Sequence, residues 1–284
     1  MNKKLGFYPG CSLEGTAKEY SQSVVALANL FDISLEQVPD WNCCGATAAH
    51  NLNKILSLAL PGRILAQAQK AGMTEIVVPC AACYNRLAVT QHELFADETL
   101  RKEVEKVIDL KFDTPIRILN VIQFVQEYIV PEIPNKLVKN FDKKVACYYG
   151  CLLVRPHDIL KFDRQEDPQF MDEIMKLLGA DPIEFPFKTE CCGAGLSVSR
   201  TDLVGKLSGK IVKEAVDRQA EVIIVACPMC HANLDMRRSA IDKFIGEKTT
   251  IPALYVTQAI GLACGLTIEQ LGIKHHLVPF TENK

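Results

Sequence analysis

The sequence predicts an α/β protein of two pseudo-symmetric repeated domains, each with a mainly parallel, Rossmann-like sheet flanked by helices. Three observations carry that expectation. Strand-like and helix-like runs alternate along the chain, and the second half repeats the order of the first. A set of five cysteines recurs in both halves, each member placed just after a strand-like run.

The elements follow in order. Residues 5–8 read as a short buried strand, and 17–31 carry Val24, Leu27, Ala28 and Phe31 at helical spacing. A second strand is expected at 35–38, a long helical stretch from Cys44 to Lys70, a strand at 75–79 and a helix from Cys83 onward. Residues 116–119 form the next strand, with Asn120 placed to cap the helix behind it. The second half gives strands at 145–149, 183–187, 222–226 and 253–256, and helices at 170–178, 202–219, 230–244 and 257–264. Alternation of this kind implies parallel strands joined by right-handed crossovers, with ligand-binding loops at the carboxyl ends of the strands.

The repeat is visible residue by residue. Phe7-Tyr8-Pro9-Gly10-Cys11 matches Cys147-Tyr148-Tyr149-Gly150-Cys151. A shift of 147 residues puts Gly62 on Gly209, Arg63 on Lys210, Ile64 on Ile211, Ala68 on Ala215, and Ile76-Val77-Val78 on Ile223-Ile224-Val225. Residues 131–144, broken by Pro131 and Pro134, read as the linker between a first cysteine-rich domain at 1–135 and a second at 141–284.

Composition narrows the function. The 284 residues are 48% hydrophobic with a formal net charge of −2, so nothing electrostatic points to nucleic acid or an anionic membrane. No apolar run is long enough for a transmembrane segment, and Gly6, Pro9 and Gly10 interrupt the N-terminus where a signal peptide would need an apolar stretch. The expected location is cytoplasmic. There, twelve cysteines point to metal or redox chemistry rather than to disulfides.

The first set is Cys11, Cys43-Cys44 and Cys80-x-x-Cys83; the second is Cys151, Cys191-Cys192 and Cys227-x-x-Cys230. The intervals are 31, 35 and 2 residues against 39, 34 and 2. A structural zinc ion takes four ligands in a closed tetrahedron, and five thiols are one too many. Adjacent cysteines diverge along an extended chain and serve different metal atoms better than one. They also reach disulfide geometry poorly. An ordinary cubane uses four thiolates, so a fifth suggests an unusual iron–sulfur cluster, with a cysteine bridging two irons. Cys227-Pro228-Met229-Cys230-His231 matches the haem-attachment string, but the first half lacks the histidine and both cysteines belong to the larger pattern.

With its two CCG…CxxC sets, the chain resembles the cysteine-rich CCG domain family, and within it the B-type polypeptide of heterodisulfide reductase, over nearly its whole length. The resemblance implies two non-cubane [4Fe-4S] clusters facing each other between the halves. The first would be held by Cys11, Cys43, Cys44, Cys80 and Cys83, the second by Cys151, Cys191, Cys192, Cys227 and Cys230. It implies an oxidoreductase acting on sulfur groups: a (hetero)disulfide, in methanogens that of coenzyme M and coenzyme B, is cleaved between the clusters. Electrons would come from a ferredoxin-like subunit of the C type and a flavin-containing subunit of the A type. The alternative is an electron-transfer subunit of a larger dehydrogenase complex, passing electrons to a quinone or another carrier; a structural zinc protein is the third reading. Intact double sets without fused ferredoxin segments favour disulfide cleavage.

The chain has no flavin or NAD fingerprint, since Gly193-Ala194-Gly195 belongs to the cysteine turn. It therefore needs a partner to supply electrons. His231, next to a candidate ligand, is a candidate donor to a cluster sulfur or a product thiolate. Cys147 and Cys264 read as buried thiols outside the sets. Arg63, Arg86, Lys188, Arg200 and Lys210 read as solvated cations, His275-His276 as a surface pair, and Tyr8, Tyr148 and Tyr149 as shields against water.

Overall fold

A computed structural model describes residues 3–47 and 49–282. Four strands form the first sheet: β1 (Lys3–Phe7), β2 (Ile33–Gln37), β3 (Glu75–Val78) and β4 (Arg117–Asn120). Their order is β2-β1-β3-β4, and every neighbouring pair is parallel. The second sheet holds β5 (Lys144–Tyr148), β6 (Asp181–Pro182), β7 (Val222–Val225) and β8 (Ala253–Tyr255) in the matching order β6-β5-β7-β8, again all parallel. Parallel neighbours require crossovers, and helices Lys18–Leu30, Lys54–Lys70 and Ala81–Ala96 supply them in the first half. Phe170–Leu177, Thr201–Asp217 and Pro228–Met236 take those places in the second. Burial on both faces explains the unbroken apolar strands, such as the fully buried Val222–Val225. The expected α/β architecture with two similar halves is what the chain adopts.

Local chemistry sets the boundaries. Asn120 caps helix Val121–Phe124 through a capping box with Gln123. The helical stretch after Cys44 begins at Ala49 and breaks at Asn53, whose side chain caps the next helix by accepting from the Leu56 amide. The strand expected at 183–187 is absent. β6 is only Asp181–Pro182, because Pro182 and Pro186 cannot donate to a ladder. Phe185 is nevertheless buried, so the apolar run reported burial correctly and pairing wrongly. The Pro-broken segment at 131–144 is helical as far as Lys136, with both prolines in first turns, where a missing N–H costs nothing.

The halves meet over helix Lys18–Leu30 of the first and helix Val256–Ala263 of the second. The buried hydroxyls of Ser23 and Thr257 lie 2.7 Å apart, and the Gln22 amide donates to the carbonyls of Glu269 and Gln270. Tyr20 and Tyr255 stack with ring centroids 3.8 Å apart. Among the described residues no helix is long and apolar enough to cross a membrane.

The repeated glycines have a packing reason. A Cβ on Gly62 would stand 3.3 Å from Val104 of helix Glu98–Ile108, and one on Gly209 would stand 2.5 Å from Phe244 of helix Arg238–Ile245. Gly205 faces backbone instead: its Cβ would fall 2.7 Å from the Ala240 carbonyl oxygen, which has no side-chain freedom to yield. Gly205→Ala is therefore expected to destabilise the fold by ~1–3 kcal/mol. At about 2–4 °C per kcal/mol the shift is readable by thermal melting. Gly195→Ala, with nothing within 4 Å, should melt like the parent; equal melting of both variants would contradict the crossing argument.

Candidate metal centre

Each half gathers its five thiols at the carboxyl ends of its strands, and the two halves do so with the same local devices. After β1 the chain turns at Gly10 (φ +66°) into Cys11, and after β5 at Gly150 (φ +73°) into Cys151. The adjacent pair is fixed by the glycine that follows it. Gly45 (φ +73°) turns its amide onto the Cys43 sulfur at 3.5 Å, and Gly193 (φ +79°) turns its amide onto the Cys191 sulfur at 3.3 Å. Only a residue at ease in the left-handed region folds back this way, which explains the CCG string. Cys80 and Cys227 lie two residues beyond β3 and β7 and stand at the N-caps of helices Ala81–Ala96 and Pro228–Met236, with Cys83 and Cys230 in the first turns. Thiolates there feel the positive ends of the helix dipoles.

The sulfurs are close. Cys11 and Cys43 are 3.8 Å apart, Cys44 and Cys83 3.3 Å, and Cys192 and Cys230 3.5 Å. Further thiol–thiol interactions join Cys80 to Cys83, Cys227 to Cys230 and Cys151 to Cys191. Across the junction of the halves Cys80 and Cys227 are near enough to shift each other's proton affinity, Cys80 upward and Cys227 downward. Burial divides each set alike. Cys44, Cys80 and Cys83, like Cys192, Cys227 and Cys230, are buried. Cys11, Cys43 and Cys191 are exposed and Cys151 is half-buried.

Crowding separates the protonation of neighbours. Hydrogen bonds from Cys43 and then Cys83 hold Cys44 down at about 3, helped by the Ala46 amide and Arg86. A bond from Cys151 brings Cys191 to about 6, helped by the amides of Gly193 and Ala194. Cys227 is pulled well down by Cys230 and Cys80, while Cys83 is pushed well up by Cys44 and Cys80. Among the described residues no three of His, Cys, Asp or Glu converge in the manner of a single-ion site. Five soft donors strung through mutual contacts suit a polynuclear iron–sulfur group better.

The sequence undervalued two hydroxyls. The Tyr8 hydroxyl donates to the Asn42 carbonyl at 2.8 Å, and the Tyr148 hydroxyl to the Glu190 carbonyl at 2.7 Å. Both acceptors immediately precede the cysteine pair, so each tyrosine ties the first cysteine loop of its half to the second. The duplicated Tyr-x-Gly-Cys string was the available signal. Tyr149 does something else: its hydroxyl donates to the Asp172 carboxylate at 2.7 Å and accepts from the Met171 amide. Lys188 is corrected. It is buried, ion-paired to Asp167 and Asp172, and donates to the Pro168 carbonyl. Its own carbonyl receives the amides of Tyr149 and Gly150, so it braces the Cys151 turn. Cys147 and Cys264 are buried.

His231 is buried, stacks on Tyr255 and packs at a tilt against His276, and its Nε2 lies 3.1 Å from the Ala253 carbonyl oxygen. His276, read as a surface residue, is also buried and lies 3.0 Å from the Gln258 amide nitrogen. Burial pushes His276 down to about 4, against an ordinary value near ~6.5. Between those values the unfolded chain holds the extra proton, so stability is lost as pH falls from about 6.5 toward 4. Asp235 and the Ala253 backbone oppose that shift, His275 adds to it, and the His231 ring packs beside His276. His276→Gln should flatten the pH dependence of urea unfolding between pH 7 and 5, by up to ~1.4 kcal/mol per pH unit. Equal slopes in parent and variant would refute this.

Comparison with known proteins agrees with this arrangement. The family model for the CCG cysteine-rich domain matches twice, at residues 5–88 and 145–235. The chain is 27% identical to the 8-methylmenaquinol:fumarate reductase membrane anchor subunit of Wolinella succinogenes, over 99% of both chains. It is 28% identical to the B-type polypeptide of a ferredoxin/F420H2-dependent CoB-CoM heterodisulfide reductase of Methanosarcina acetivorans, over 97% of this chain and 94% of that one. The B-type polypeptide of a ferredoxin:CoB-CoM heterodisulfide reductase of Methanosarcina mazei is also 28% identical, over 98% and 94%. Among solved structures, a hypothetical protein from Helicobacter pylori shares the fold at a TM-score of 0.79 and 14% identity; this chain spans 99% of itself and 53% of that protein. Two matched domains, each with its full thiol set at the strand ends, place the chain in the CCG cysteine-rich domain family.

Proposed function

We propose that the two thiol sets hold two non-cubane [4Fe-4S] clusters, and that the chain is the disulfide-reducing subunit of a heterodisulfide-reductase-type complex. The observation that carries this reading is the doubled, complete five-thiol set, placed after matching strands of the two halves. Cys11, Cys43, Cys44, Cys80 and Cys83 would ligate one cluster, and Cys151, Cys191, Cys192, Cys227 and Cys230 the other. When bound, the clusters supply one electron each and Lewis-acidic iron for sulfur. The protein's own part is to bury the inner thiols, aim two helix N-termini at them and leave the outer thiols open to a reactant. Electrons arrive from a ferredoxin-like C-type subunit and a flavin-bearing A-type subunit, in a reducing cytoplasmic setting that keeps the thiols free.

A groove of about 470 Å³ between the halves supports a reactant site. Ser12 and Thr16 line one wall, and Ala194, Val198, Met229 and Met236 the other. Arg237 is the lining cation, and its guanidinium already donates to the Ser197 carbonyl. A multiply anionic disulfide would find few counter-charges here, so the favoured reactant is a disulfide of low charge. The second reading, electron transfer to an uncharged carrier, is favoured by the same apolar lining and by the quinol:fumarate reductase relative.

One experiment separates them. Anaerobically reconstituted, reduced protein is mixed with an uncharged aromatic disulfide or with a short-chain naphthoquinone, and the paramagnetic signal is followed by EPR. Disulfide cleavage predicts a new signal with the disulfide alone. Oxidation by the naphthoquinone with no response to the disulfide would favour carrier reduction. Zinc without iron after anaerobic purification would end both.

A further inference from the structure

A buried side chain that belongs to neither thiol set spans the two CxxC loops. Tyr20 is fully buried on helix Lys18–Leu30 of the first half. Its hydroxyl lies 3.3 Å from the Pro79 carbonyl oxygen and 3.4 Å from the Ala226 carbonyl oxygen. These carbonyls occupy equivalent places in the repeat: Pro79 immediately precedes Cys80, and Ala226 immediately precedes Cys227. The residue after each carbonyl is the first thiol of a CxxC loop, Cys80 in one half and Cys227 in the other. A phenol carries one proton, so a single O–H is shared between two buried acceptors from different halves.

The side chain is held firmly. The Tyr20 ring stacks on Tyr255 with centroids 3.8 Å apart and planes 5° apart, and the Tyr255 hydroxyl reaches Glu19 at 3.3 Å. Further along the helix, the Ser23 hydroxyl bonds to Thr257 and to the Tyr20 carbonyl. The arrangement is one-sided. Between β5 and β6, where the second half would carry the equivalent helix, Phe170–Leu177 contains no tyrosine. Every tie between the two CxxC loops that passes through a hydroxyl thus runs, among the described residues, through Tyr20.

We propose that Tyr20 is the positioning residue that sets the spacing of Cys80 and Cys227, and through it the electronic coupling between the two metal groups. This rests on the reading under Proposed function. Groups just outside a metal's ligands orient those ligands, and here one outer group serves two sites at once. Tyr20→Phe keeps the ring and the stack on Tyr255 and removes only the shared hydroxyl. The two carbonyls then lose their common partner and the loops lose their common stop.

The test uses the full chain in two states. In anaerobically reconstituted protein reduced by two electrons, EPR is expected to show spin–spin splitting between the centres, and Tyr20→Phe is expected to reduce that splitting at least twofold at unchanged iron content. In the full chain before reconstitution, mild oxidation by diamide is expected to give a Cys80–Cys227 cross-link among its products, beside those of the close pairs Cys44–Cys83 and Cys192–Cys230, read by peptide mass mapping, and Tyr20→Phe is expected to lower its share at least fivefold. Ser23→Ala is the control: it removes a buried hydroxyl from the same interface without touching the carbonyls, so melting should fall while splitting and cross-linking stay as in the parent. If Tyr20→Phe lowers melting as Ser23→Ala does and leaves both readouts unchanged, Tyr20 is a packing residue and the proposal fails. If no variant binds iron but cross-linking still depends on Tyr20, the positioning role stands and the cluster reading falls instead.

Discussion

Cys227→Ser is expected to lose about half of the bound iron and at least ~100-fold in turnover, since even outer partners of metal ligands are worth 10–100-fold. Cys227 concentrates more of the site than any other thiol. It is buried, stands at the N-cap position of helix Pro228–Met236, and has its proton affinity lowered by Cys230 of its own set and by Cys80 of the other. Serine fills nearly the same space but offers a hard hydroxyl where the other donors are soft thiolates, so the cost falls on metal retention rather than on packing. Cys147→Ser is the matched control, because Cys147 is equally buried in the second half and outside the set. It should keep full iron. Iron content of Cys227→Ser equal to that of Cys147→Ser would remove Cys227 from the ligand set. Cys80→Ser should show the mirror-image loss in the first half.

Much of this organisation was legible in the sequence, for reasons that differ by feature. Strands such as Val222–Val225 announced themselves because a parallel strand buried on both faces is apolar at every position. The cysteine sets were legible because they repeat, and repetition survives where any single CxxC would be ambiguous. β6 was misread because apolar residues report burial, whereas Pro182 and Pro186 decide whether a ladder forms. Lys188 and His276 were misread as solvated because their partners, Asp172 and Gln258, are supplied by packing that no local pattern encodes. Tyr20 lay furthest out of reach. Nothing in its neighbourhood along the chain marks it, and its meaning depends on a carbonyl 206 positions away.

Gly150→Ala is the second change with a large expected effect, and it separates two costs usually mixed together. The backbone cost comes from φ +73°, where an L side chain loses ~1–2 kcal/mol. The site cost comes from the new Cβ, which would stand 3.1 Å from the Cys230 sulfur and 3.7 Å from the Tyr148 hydroxyl oxygen. The sulfur is the softer obstacle, because Tyr148 is pinned to the Glu190 carbonyl. The thiol therefore moves, and with it the second set's geometry. Gly246→Ala supplies the comparison, with φ +90° and nothing within 4 Å of its Cβ, so it carries the backbone cost alone. Both variants should melt lower by a similar amount, but only Gly150→Ala should lose iron from the second set. Gly10→Ala repeats the test in the first half, where the Cβ would meet Cys83 at 3.0 Å, with Gly72→Ala as its unobstructed partner. Full iron retention in both Gly10→Ala and Gly150→Ala would mean that these glycines serve the turn and not the sulfur behind it. Selective loss in each half would show that the glycine before Cys11 and before Cys151 was kept small to leave room for the sulfur it faces.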